Sequence, residues 1–239
     1  MTLSTFTLSS VATVTGCYPD KFGVPRQPGL APSATARIRL LPPYDDPNAV
    51  RGLKEFSHIW LTFIFHHSPQ AWHPLVRPPR LGGNAKIGVF ASRATHRPNR
   101  IGLSLVELVD IVTHPTVELI VRGHDLVNDT PVIDIKPYLP WADSVDNASA
   151  GFAPAAPVLY PVSFSAEADT FLKQRDDEDE LRALIVDIIA QDPRPAYHVN
   201  IDRRRYGVRL KDIEVGFCVD AGMATTGFLV KDISPTDTN

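Results

Sequence analysis

Proline recurs along the whole of this sequence, and it limits the length that any helix or central strand can reach. There are 22 prolines in 239 residues, and each fixes its own φ angle and lacks a backbone N–H donor. Short apolar runs of strand-like composition lie between them, separated by turn residues. This pattern predicts a mainly β protein, a sandwich or a barrel, and not a series of βαβ units.

The most apolar run, HIWLTFIF at residues 58–65, predicts a buried strand because β-branched and aromatic residues dominate it. Weaker alternation and short apolar runs predict further strands. These cover residues 6–14, 34–41, 103–112, 117–121, 131–135, 206–210, 213–219 and 227–230.

The composition changes near residue 141, and helical signals follow. Residues 141–161 are rich in Ala, Ser, Pro and Asp, which is typical of a long loop. Ser165 is suited to an N-cap, and an apolar face at helical spacing ends before Pro193. That face consists of Leu181, Leu184, Ile185, Ile188 and Ile189. We therefore expect three parts, namely a mainly β, barrel-like domain over residues 1–145, a linker or long loop over 146–161 and a small α+β domain over 162–239.

Charge and cysteine content are those of an ordinary cytoplasmic protein. The formal net charge is -3, so any contact with nucleic acid has to rest on a local basic patch. Cys17 and Cys218 lie far apart and lack metal-ligand spacing, which favours two buried thiols in a reducing cytosol. No run approaches the ~20 apolar residues of a membrane span, and the N-terminus lacks the basic region of a secretion signal. We therefore expect a cytoplasmic protein with no membrane partner.

Residues 88–105, GVFASRATHRPNRIGLSL, combine two apolar runs with a basic loop between them. The loop carries several donors and no carboxylate, which suits an anionic or acceptor-rich partner, although a solvated hairpin loop is the alternative. The two flanking runs predict strands that hold the loop out. Gly88 and Gly102 interrupt those runs, which indicates a bulge or a close approach to the backbone.

This stretch resembles the signature of the TsaA-like or YaeB-like family of bacterial tRNA methyltransferases. Six further blocks match the family and run in order through nearly the whole chain, which makes the resemblance far more specific than a single motif. They are VPRQPG (24–29), RGL (51–53), FH (65–66), RPPRLGGN (77–84), TPVIDIKPY (130–138) and DPRPAY (192–197).

The resemblance implies a β-barrel methyltransferase in which loops at a dimer interface hold S-adenosylmethionine. The implied reaction is methylation of N6 of threonylcarbamoyl-adenosine at position 37 of tRNA, with threonine tRNA as the expected substrate. The implied partners are the tRNA anticodon arm and a second copy of the chain, in a homodimer. A Rossmann-type fold is not expected, because the dense glycine segment at residues 81–88 leads into a strand and does not open a helix.

Carried over from the family, eleven residues are expected to contact the cofactor. They are Pro25, Arg26, Gln27, His66, His67, Arg93, Leu103, Asn128, Asp129, Thr130 and Pro131. An arginine can pair with the methionine carboxylate, and Leu103 can cover an apolar face of the cofactor. The chain departs from the family pattern at Asn128-Asp129, His67 and Arg100, where the family usually has Asp-Gly, Gln and Pro.

His66 and His67 also have a structural interpretation. Neighbouring residues at the end of a strand point to opposite faces, so these two are not expected to form one paired site. A zinc site needs further ligands at suitable spacing, and the sequence offers no such cluster. No metal is therefore expected.

The segment DPRPAY at residues 192–197 is the second candidate for chemistry. One interpretation is a structural turn after a helix. The other is a substrate contact, in which Tyr197 stacks on a base and Arg194 holds a phosphate. A group that accepts the proton of N6 would speed the transfer by about 10² to 10⁴. Asp134, Asp192 and Tyr197 are the candidates, and the sequence does not rank them.

Basic residues predict an RNA surface. The run Arg203-Arg204-Arg205 is the densest basic cluster, although such a cluster on its own is more often a solvated turn. The predicted RNA contacts are Arg97, Arg100, Arg194, Arg203, Arg204 and Arg205. Two other functions stay open, namely a sensor that binds S-adenosylmethionine without catalysis and a methyltransferase for a protein or small molecule.

Overall fold

Six strands close into a barrel in the part of the chain that the structure describes. The structure is a computed structural model, and it describes residues 4–82, 84–194, 204–220 and 227–236. The strands, in chain order, are β1 (Ala12–Gly16), β2 (Thr35–Leu40), β3 (His58–Ile64), β4 (Leu75–Val76), β5 (Ile87–Gly88), β6 (Ile101–Val112), β7 (Glu118–Arg122), β8 (Pro131–Pro137), β9 (Val162–Phe164), β10 (Tyr206–Leu210), β11 (Ile213–Asp220) and β12 (Gly227–Pro235). The helices are α1 (Pro140–Asp143), α2 (Ala166–Leu172) and α3 (Glu178–Ile189).

The barrel strands follow one another in the order β1-β2-β7-β6-β3-β8, and β8 pairs with β1 to close the barrel. Each neighbouring pair is antiparallel. Alternate residues point inward, so that Ile59, Leu61 and Phe63 of β3 are buried in the barrel core. The predicted mainly β, barrel-like fold is confirmed.

Three long connections meet at one end of the barrel, which we call the upper end. They join β1 to β2, β3 to β6 and β7 to β8, and they comprise residues 17–34, 65–100 and 123–130. Because the strands are antiparallel, the end of β1 lies beside the start of β2, where Gly16 pairs with Ala36. In the same way the end of β3 lies beside the start of β6, where Ile64 pairs with Ile101.

A four-stranded sheet in the order β10-β11-β12-β9 forms a second core with α2 and α3. Strand β9 runs parallel to β12, and the other pairs are antiparallel. The N-cap predicted at Ser165 is confirmed, since its Oγ accepts a hydrogen bond from the Ala168 backbone N–H at 3.1 Å. The predicted apolar helix face is confirmed too, because all five of its residues are buried in α3.

The connection between β1 and β2 leaves the barrel and packs into the second core. Its buried residues in the second core are Cys17, Tyr18, Ala31 and Ala34. The Lys211 backbone N–H donates to the Cys17 carbonyl at 2.9 Å, and Gln191 Nε2 donates to the Leu30 carbonyl at 2.9 Å. The upper end of the barrel is therefore packed against the C-terminal sheet and helices.

Two local predictions are wrong. Strand β1 begins at Ala12 and not at residue 6, and the Phe6 side chain, 80% exposed, contributes nothing to the barrel core. Strand β5 pairs with β4 and not with β6, so the basic loop is not the tip of a barrel hairpin. Instead, the loop leaves a separate two-stranded ribbon and enters the barrel at β6.

Both cysteines are buried thiols, as predicted. Neither Cys17 nor Cys218 forms a disulfide. Burial raises the pKa of the Cys17 thiol to about 12, so this group stays protonated and unreactive at neutral pH.

Gly102 lies under two aromatic rings. A Cβ at this position would overlap the rings of Phe63 and Phe65, whose centroids are 5.1 Å apart. The predicted close approach to the backbone is therefore confirmed at Gly102. At Gly88 it is wrong, because no atom of the residues that the structure describes lies within 4 Å of the position that a Cβ would take.

Gly102→Ala should destabilise the barrel, because the added methyl group overfills the space under Phe63 and Phe65. Overpacking of this kind costs about 1–3 kcal/mol, and urea unfolding should show the loss as a lower midpoint with an unchanged slope. Gly88→Ala is the matched control, and its midpoint should equal that of the original protein. Equal midpoints for the two variants would contradict this packing.

Candidate active site

All eleven residues predicted to contact the cofactor lie at the upper end of the barrel. Each belongs to one of the three long connections or to the first residues of the strand that follows it. The fold therefore assembles one candidate site from three stretches that are distant in sequence. Their role in binding stays a prediction.

Hydrogen bonds between the connections fix this end of the barrel. The Asn128 side-chain carbonyl accepts a hydrogen bond from the Gly16 N–H at 2.6 Å, and the Asn128 N–H donates to the Tyr18 carbonyl at 2.9 Å. The Gly29 N–H donates to the Gly123 carbonyl at 2.8 Å. Hydrogen bonds between the first and the third connection therefore fix the backbone on which the candidate site is built.

Two departures from the family pattern have local consequences. Asp129 has a φ of 62°, in the left-handed region that favours glycine, so the turn has the backbone shape that suits the family's Asp-Gly. Arg100 has a φ of 54° and donates its N–H to the Arg97 carbonyl at 3.1 Å. Proline can do neither, so the backbone at residue 100 differs from the one that the family's usual Pro would impose.

The rings of His66 and His67 lie close together, with centroids 4.0 Å apart. The prediction of opposite faces is wrong, because β3 ends at Ile64 and strand alternation no longer applies. Burial lowers the pKa of His66, and the charge of the neighbouring His67 acts in the same direction with a smaller effect. Nε2 of His66 is buried and has no hydrogen-bond partner among the described residues. A ligand that offered a hydrogen bond there would satisfy it.

Two basic side chains cross between the connections. Lys21 Nζ donates to the His67 carbonyl at 2.5 Å. Arg93 Nη1 donates to the Gln27 side-chain carbonyl, and Gln27 Nε2 donates to the Arg26 carbonyl. Arg93 is exposed, so its remaining donors can receive a carboxylate or another anionic group.

Asp125 is a member of this site that the sequence argument missed. Ser104 Oγ donates to Asp125 Oδ1 at 2.6 Å. Burial raises the pKa of Asp125 to about 6, while the Ser104 hydrogen bond and the charge of Arg93 oppose that rise. The available signal was Ser104 itself, a hydroxyl on the inward face of β6 between Gly102 and Val106.

His124, the neighbour of Asp125 in sequence, is buried where the two cores meet. Its Nε2 donates to the Thr35 carbonyl at 3.1 Å and lies 3.4 Å from Cys17 Sγ. Its Nδ1 accepts a hydrogen bond from the Leu126 N–H at 3.3 Å. Burial lowers the pKa of His124 to about 4, so the ring is neutral at physiological pH.

A cavity of about 220 Å³ opens beside the candidate site. Pro25 and Arg26 line it from the barrel side, and Gln191, Asp192 and Pro193 line it from the C-terminal side. One predicted catalytic residue therefore lies next to two predicted cofactor contacts, despite their separation in sequence.

Arg194 holds the Asp192 carboxylate. Its Nε and Nη2 donate to the two Asp192 oxygens at 2.7 and 2.8 Å, and its guanidinium lies 5.1 Å from the centroid of the Phe228 ring. Arg194 is only 7% exposed, so the predicted phosphate contact does not agree with its position in a buried ion pair. Tyr197 and Arg203 lie outside the described residues.

Asp134 is separated from the other candidates. It is exposed on β8, and its Oδ2 lies 3.4 Å from Lys136 Nζ. It lines a different cavity, of about 560 Å³, together with residues of the connection between β2 and β3 at the opposite, lower end of the barrel. The predicted role of Asp134 as a proton acceptor does not agree with this position.

Basic residues are concentrated in one stretch of the barrel domain. Residues 56–106 contain no aspartate or glutamate. Their lysine and arginine residues are Arg77, Arg80, Lys86, Arg93, Arg97 and Arg100. A local excess of positive charge therefore exists in a chain whose net charge is -3.

The predicted RNA contacts differ in their exposure and in their hydrogen-bond partners. Arg97 Nη1 donates to the Ser92 carbonyl at 2.7 Å, and Arg100 Nη1 donates to the Ser68 carbonyl at 3.2 Å. Both arginines are half-buried and shape the basic loop. In the C-terminal part, Arg204 is exposed.

Arg205, the last of these predicted contacts, is held in place by an ion pair. Its Nη2 lies 2.5 Å from Asp232 Oδ1, and its Nη1 lies 3.5 Å from Glu214 Oε1. The side chain nevertheless stays 46% exposed. An RNA phosphate would therefore have to compete with the two carboxylates for this guanidinium.

Exposed apolar side chains accompany the polar ones. Phe90 is 75% exposed, Leu103 is 55% exposed and Ile101 is 37% exposed. Ile101 and Leu103 point to the same outer face of β6, because they are two residues apart. Apolar surface rimmed by charged groups is typical of an interaction site.

Metal-ligating side chains are dispersed in the described ranges. No three of their His, Cys, Asp and Glu side chains are arranged to hold a metal ion. Within the same ranges, no helix has the length and apolar character needed to cross a membrane.

Together the fold and the site define a β-barrel protein whose candidate ligand site is built from loops at one end of the barrel, and not a Rossmann-type protein. The chain belongs to the tRNA-methyltransferase O (TrmO) family. The model of the family's N-terminal domain matches residues 13–144, and the model of its C-terminal domain matches residues 157–235.

Individual relatives agree with this membership. The tRNA (adenine(37)-N6)-methyltransferase of Escherichia coli K12 is 47% identical over 226 residues, which cover 92% of this chain and 96% of the relative. The human protein of the same name is 40% identical over 134 residues, which cover 55% of this chain and 30% of the relative. A crystal structure of TrmO from Pseudomonas aeruginosa superimposes with a TM-score of 0.77 at 37% identity, covering 97% of this chain and 99% of that chain. The family resemblance seen in the sequence is confirmed.

Asp125→Asn should make the fold more sensitive to acid. The pKa of Asp125 is raised to about 6 by burial, so the folded state gains a proton and stability as the pH falls from about 6 to about 4. The pKa of His124 is lowered to about 4, so stability is lost as the pH falls from about 6.5 to about 4. In the original protein, the gain of stability from Asp125 offsets the loss of stability from His124. The Asp125→Asn variant keeps only the loss from His124.

Urea unfolding at pH 6.5, 5 and 4 measures this difference. Over that range, the free energy of unfolding of Asp125→Asn should fall by up to about 3 kcal/mol more than that of the original protein. Asp146→Asn, which removes an exposed carboxylate from the connection between β8 and β9, is the control and should follow the original protein. Parallel profiles for Asp125→Asn and the original protein would show that the carboxyl at residue 125 does not have a raised pKa.

Proposed function

We propose that this chain transfers a methyl group from S-adenosylmethionine to N6 of adenosine 37 in tRNA, and that this adenosine carries a threonylcarbamoyl group. The observation that supports the proposal most is the meeting of all eleven predicted cofactor residues at the upper end of the barrel, beside the cavity that Asp192 lines. The relatives named as tRNA (adenine(37)-N6)-methyltransferases support the same reaction. The threonylcarbamoyl group rests on the family resemblance.

The residues at the upper end fit S-adenosylmethionine. Nε2 of His66, which is buried and has no partner within the described ranges, offers one hydrogen bond. The exposed Arg93 guanidinium suits the methionine carboxylate, and Leu103 supplies apolar cover. When bound, the cofactor supplies an electrophilic methyl group on its sulfonium. The protein has to align N6 with that methyl group, and positioning of this kind is worth roughly 7–11 kcal/mol.

The reacting N6 loses a proton during the transfer. Of the three predicted acceptors, Asp192 is the one that lines the cavity beside Pro25 and Arg26. The Arg194 guanidinium donates one hydrogen bond to each of the Asp192 oxygens, and Oδ2 keeps a second lone pair that can accept the proton. Asp192 is therefore the proposed acceptor, and Arg194 is the group that orients its carboxylate.

The remaining parts of the proposal concern the partners. Residues 1–145 hold the cofactor, residues 162–239 contribute to tRNA binding, and residues 146–161 link them. The anticodon arm lies along the basic stretch that contains no acidic residue. A second copy of the chain covers the exposed Phe90, Ile101 and Leu103, and the enzyme works in the cytoplasm, where its tRNA substrate is found.

Incubation with labelled S-adenosylmethionine and threonine tRNA tests the reaction directly. Label should enter position 37 of tRNA that carries threonylcarbamoyl-adenosine, and much less should enter tRNA with unmodified adenosine. Arg93→Ala should lower kcat/KM by about 10- to 100-fold through the loss of a charge-assisted hydrogen bond. Arg37→Ala is the control, because it removes an exposed arginine that pairs with Glu118 at 3.0 Å on the barrel wall. Cofactor binding without transfer to any tRNA would instead indicate a sensor.

The RNA surface is tested by the salt dependence of tRNA binding. Arg77→Ala and Lys86→Ala each remove an exposed cation from residues 56–106, the stretch that contains no aspartate or glutamate. Each should weaken binding of all tRNAs alike and reduce the slope of log K against log salt by about 1. Lys173→Ala removes an exposed lysine from the C-terminal part and is the control. An unchanged slope for both barrel variants would place the RNA elsewhere.

The dimer is tested by light scattering after size-exclusion chromatography. Phe90→Asp should shift the protein from a dimer to a monomer, because it places a charge in the apolar contact. Val109→Asp is the matched control, since Val109 is 49% exposed on the same strand as Ile101 and Leu103 but near its other end. A monomeric original protein, or a dimer that Phe90→Asp leaves intact, would exclude this interface.

A further inference from the structure

We propose that Asp125 holds the positive charge of the methionine part of S-adenosylmethionine, opposite the carboxylate-binding Arg93. This inference rests on the proposed function in one respect, which is that the cofactor binds at the upper end of the barrel. Of the eleven residues predicted from the sequence, Asp129 alone is acidic, and it is exposed. Asp125 is a second carboxylate at this end of the barrel, and it is half-buried.

Geometry places Asp125 among the predicted cofactor contacts. Its Oδ1 is fixed by the Ser104 hydroxyl at 2.6 Å. Ser104 is 1% exposed and points to the inward face of β6, whereas Leu103 points outward. Asp125 precedes Asn128 by three residues in the connection that contributes residues 128–130, and the charge of Arg93 acts on it. The carboxyl group therefore lies at the upper end of the barrel, on the inner side of β6 and near Arg93.

The charge of Asp125 is incompletely compensated. Arg93 acts on it electrostatically but directs a hydrogen bond to Gln27. Burial outweighs that attraction, and it raises the pKa of Asp125 to about 6. A carboxylate in such a site gains stability from a cation placed beside it, because the cation offsets part of the cost of desolvation.

S-adenosylmethionine carries the complementary charges. Its methionine part has a carboxylate, which suits Arg93, and two cationic centres, the ammonium group and the sulfonium. A zwitterion bound with its carboxylate on Arg93 would present a cationic centre to Asp125. Asp125 is then a binding and orienting residue for the known class of cofactor.

The pH dependence of binding follows from the groups that face Asp125. These are Arg93 from the basic loop, Ser104 from β6 and Tyr18 from the connection between β1 and β2. Arg93 stays charged, and burial raises the pKa of Tyr18, which therefore stays neutral. His66 contributes at the same end of the barrel, with a lowered pKa. Comparison of the original protein with a variant at residue 125 isolates the part of the pH dependence of cofactor binding that is due to Asp125.

Isothermal titration calorimetry with S-adenosylmethionine and with S-adenosylhomocysteine tests the proposal. Asp125→Asn should bind S-adenosylmethionine about 10- to 100-fold more weakly at pH 7.5. The loss of affinity on acidification toward pH 5 should also be smaller than in the original protein. An equal loss for S-adenosylhomocysteine assigns the contact to the ammonium group, and a smaller loss assigns it to the sulfonium. Asp110→Asn, an exposed site on the same strand as Ser104, is the control and should bind normally.

Ser104→Ala keeps the carboxylate but removes the hydroxyl that lowers its pKa. The midpoint of the acid loss of affinity should therefore move to higher pH in this variant, which tests the contact even if Asp125→Asn folds poorly. If both variants keep the affinity and the pH profile of the original protein, the proposal for Asp125 is overturned. The proposed methyl transfer is not affected by that result. If both variants change cofactor binding as expected, but the original protein transfers no methyl group to tRNA, only the proposed function is contradicted.

Discussion

Closure of the barrel by β8 against β1 is the constraint on which the candidate site depends. In an antiparallel barrel of this order, the connections after β1, β3 and β7 have to leave from the same end. Those connections carry nearly all of the predicted cofactor contacts, whereas the inward faces of the strands carry the apolar residues of the barrel core. Hydrogen bonds such as Gly16 N–H to Asn128 Oδ1 then fix the connections against each other. A site built in this way needs no glycine-rich turn at the start of a helix.

The connection between β1 and β2 links this site to the C-terminal part. It places Cys17 and Tyr18 in the second core, its Ser33 N–H donates to Asp187 Oδ2 of α3 at 2.9 Å, and it supplies Pro25 and Arg26 to the cavity beside Asp192. The predicted cofactor loop and the turn at Asp192 therefore line one cavity. The C-terminal part thus contributes to the geometry of the candidate site.

Sequence reasoning predicted the features that depend on local patterns. The alternation in β3, the N-cap at Ser165 and the apolar face of α3 are properties of short segments, and all three are confirmed. It missed Asp125, whose environment arises only when β6 brings Ser104 against it. It misjudged the two histidines because β3 ends at Ile64, before His66, so the alternation of a strand does not set their relative orientation. The set of cofactor contacts came from the family resemblance and not from any spacing rule.

The proposed function requires that the cofactor binds at the upper end of the barrel and not in the larger cavity at the lower end. Amide hydrogen–deuterium exchange with and without saturating S-adenosylmethionine tests this position most directly. We expect slower exchange in residues 16–34, 64–68, 92–104 and 123–131, and unchanged exchange in residues 47–56 and 134–137. Slower exchange confined to the lower-cavity segments would contradict it.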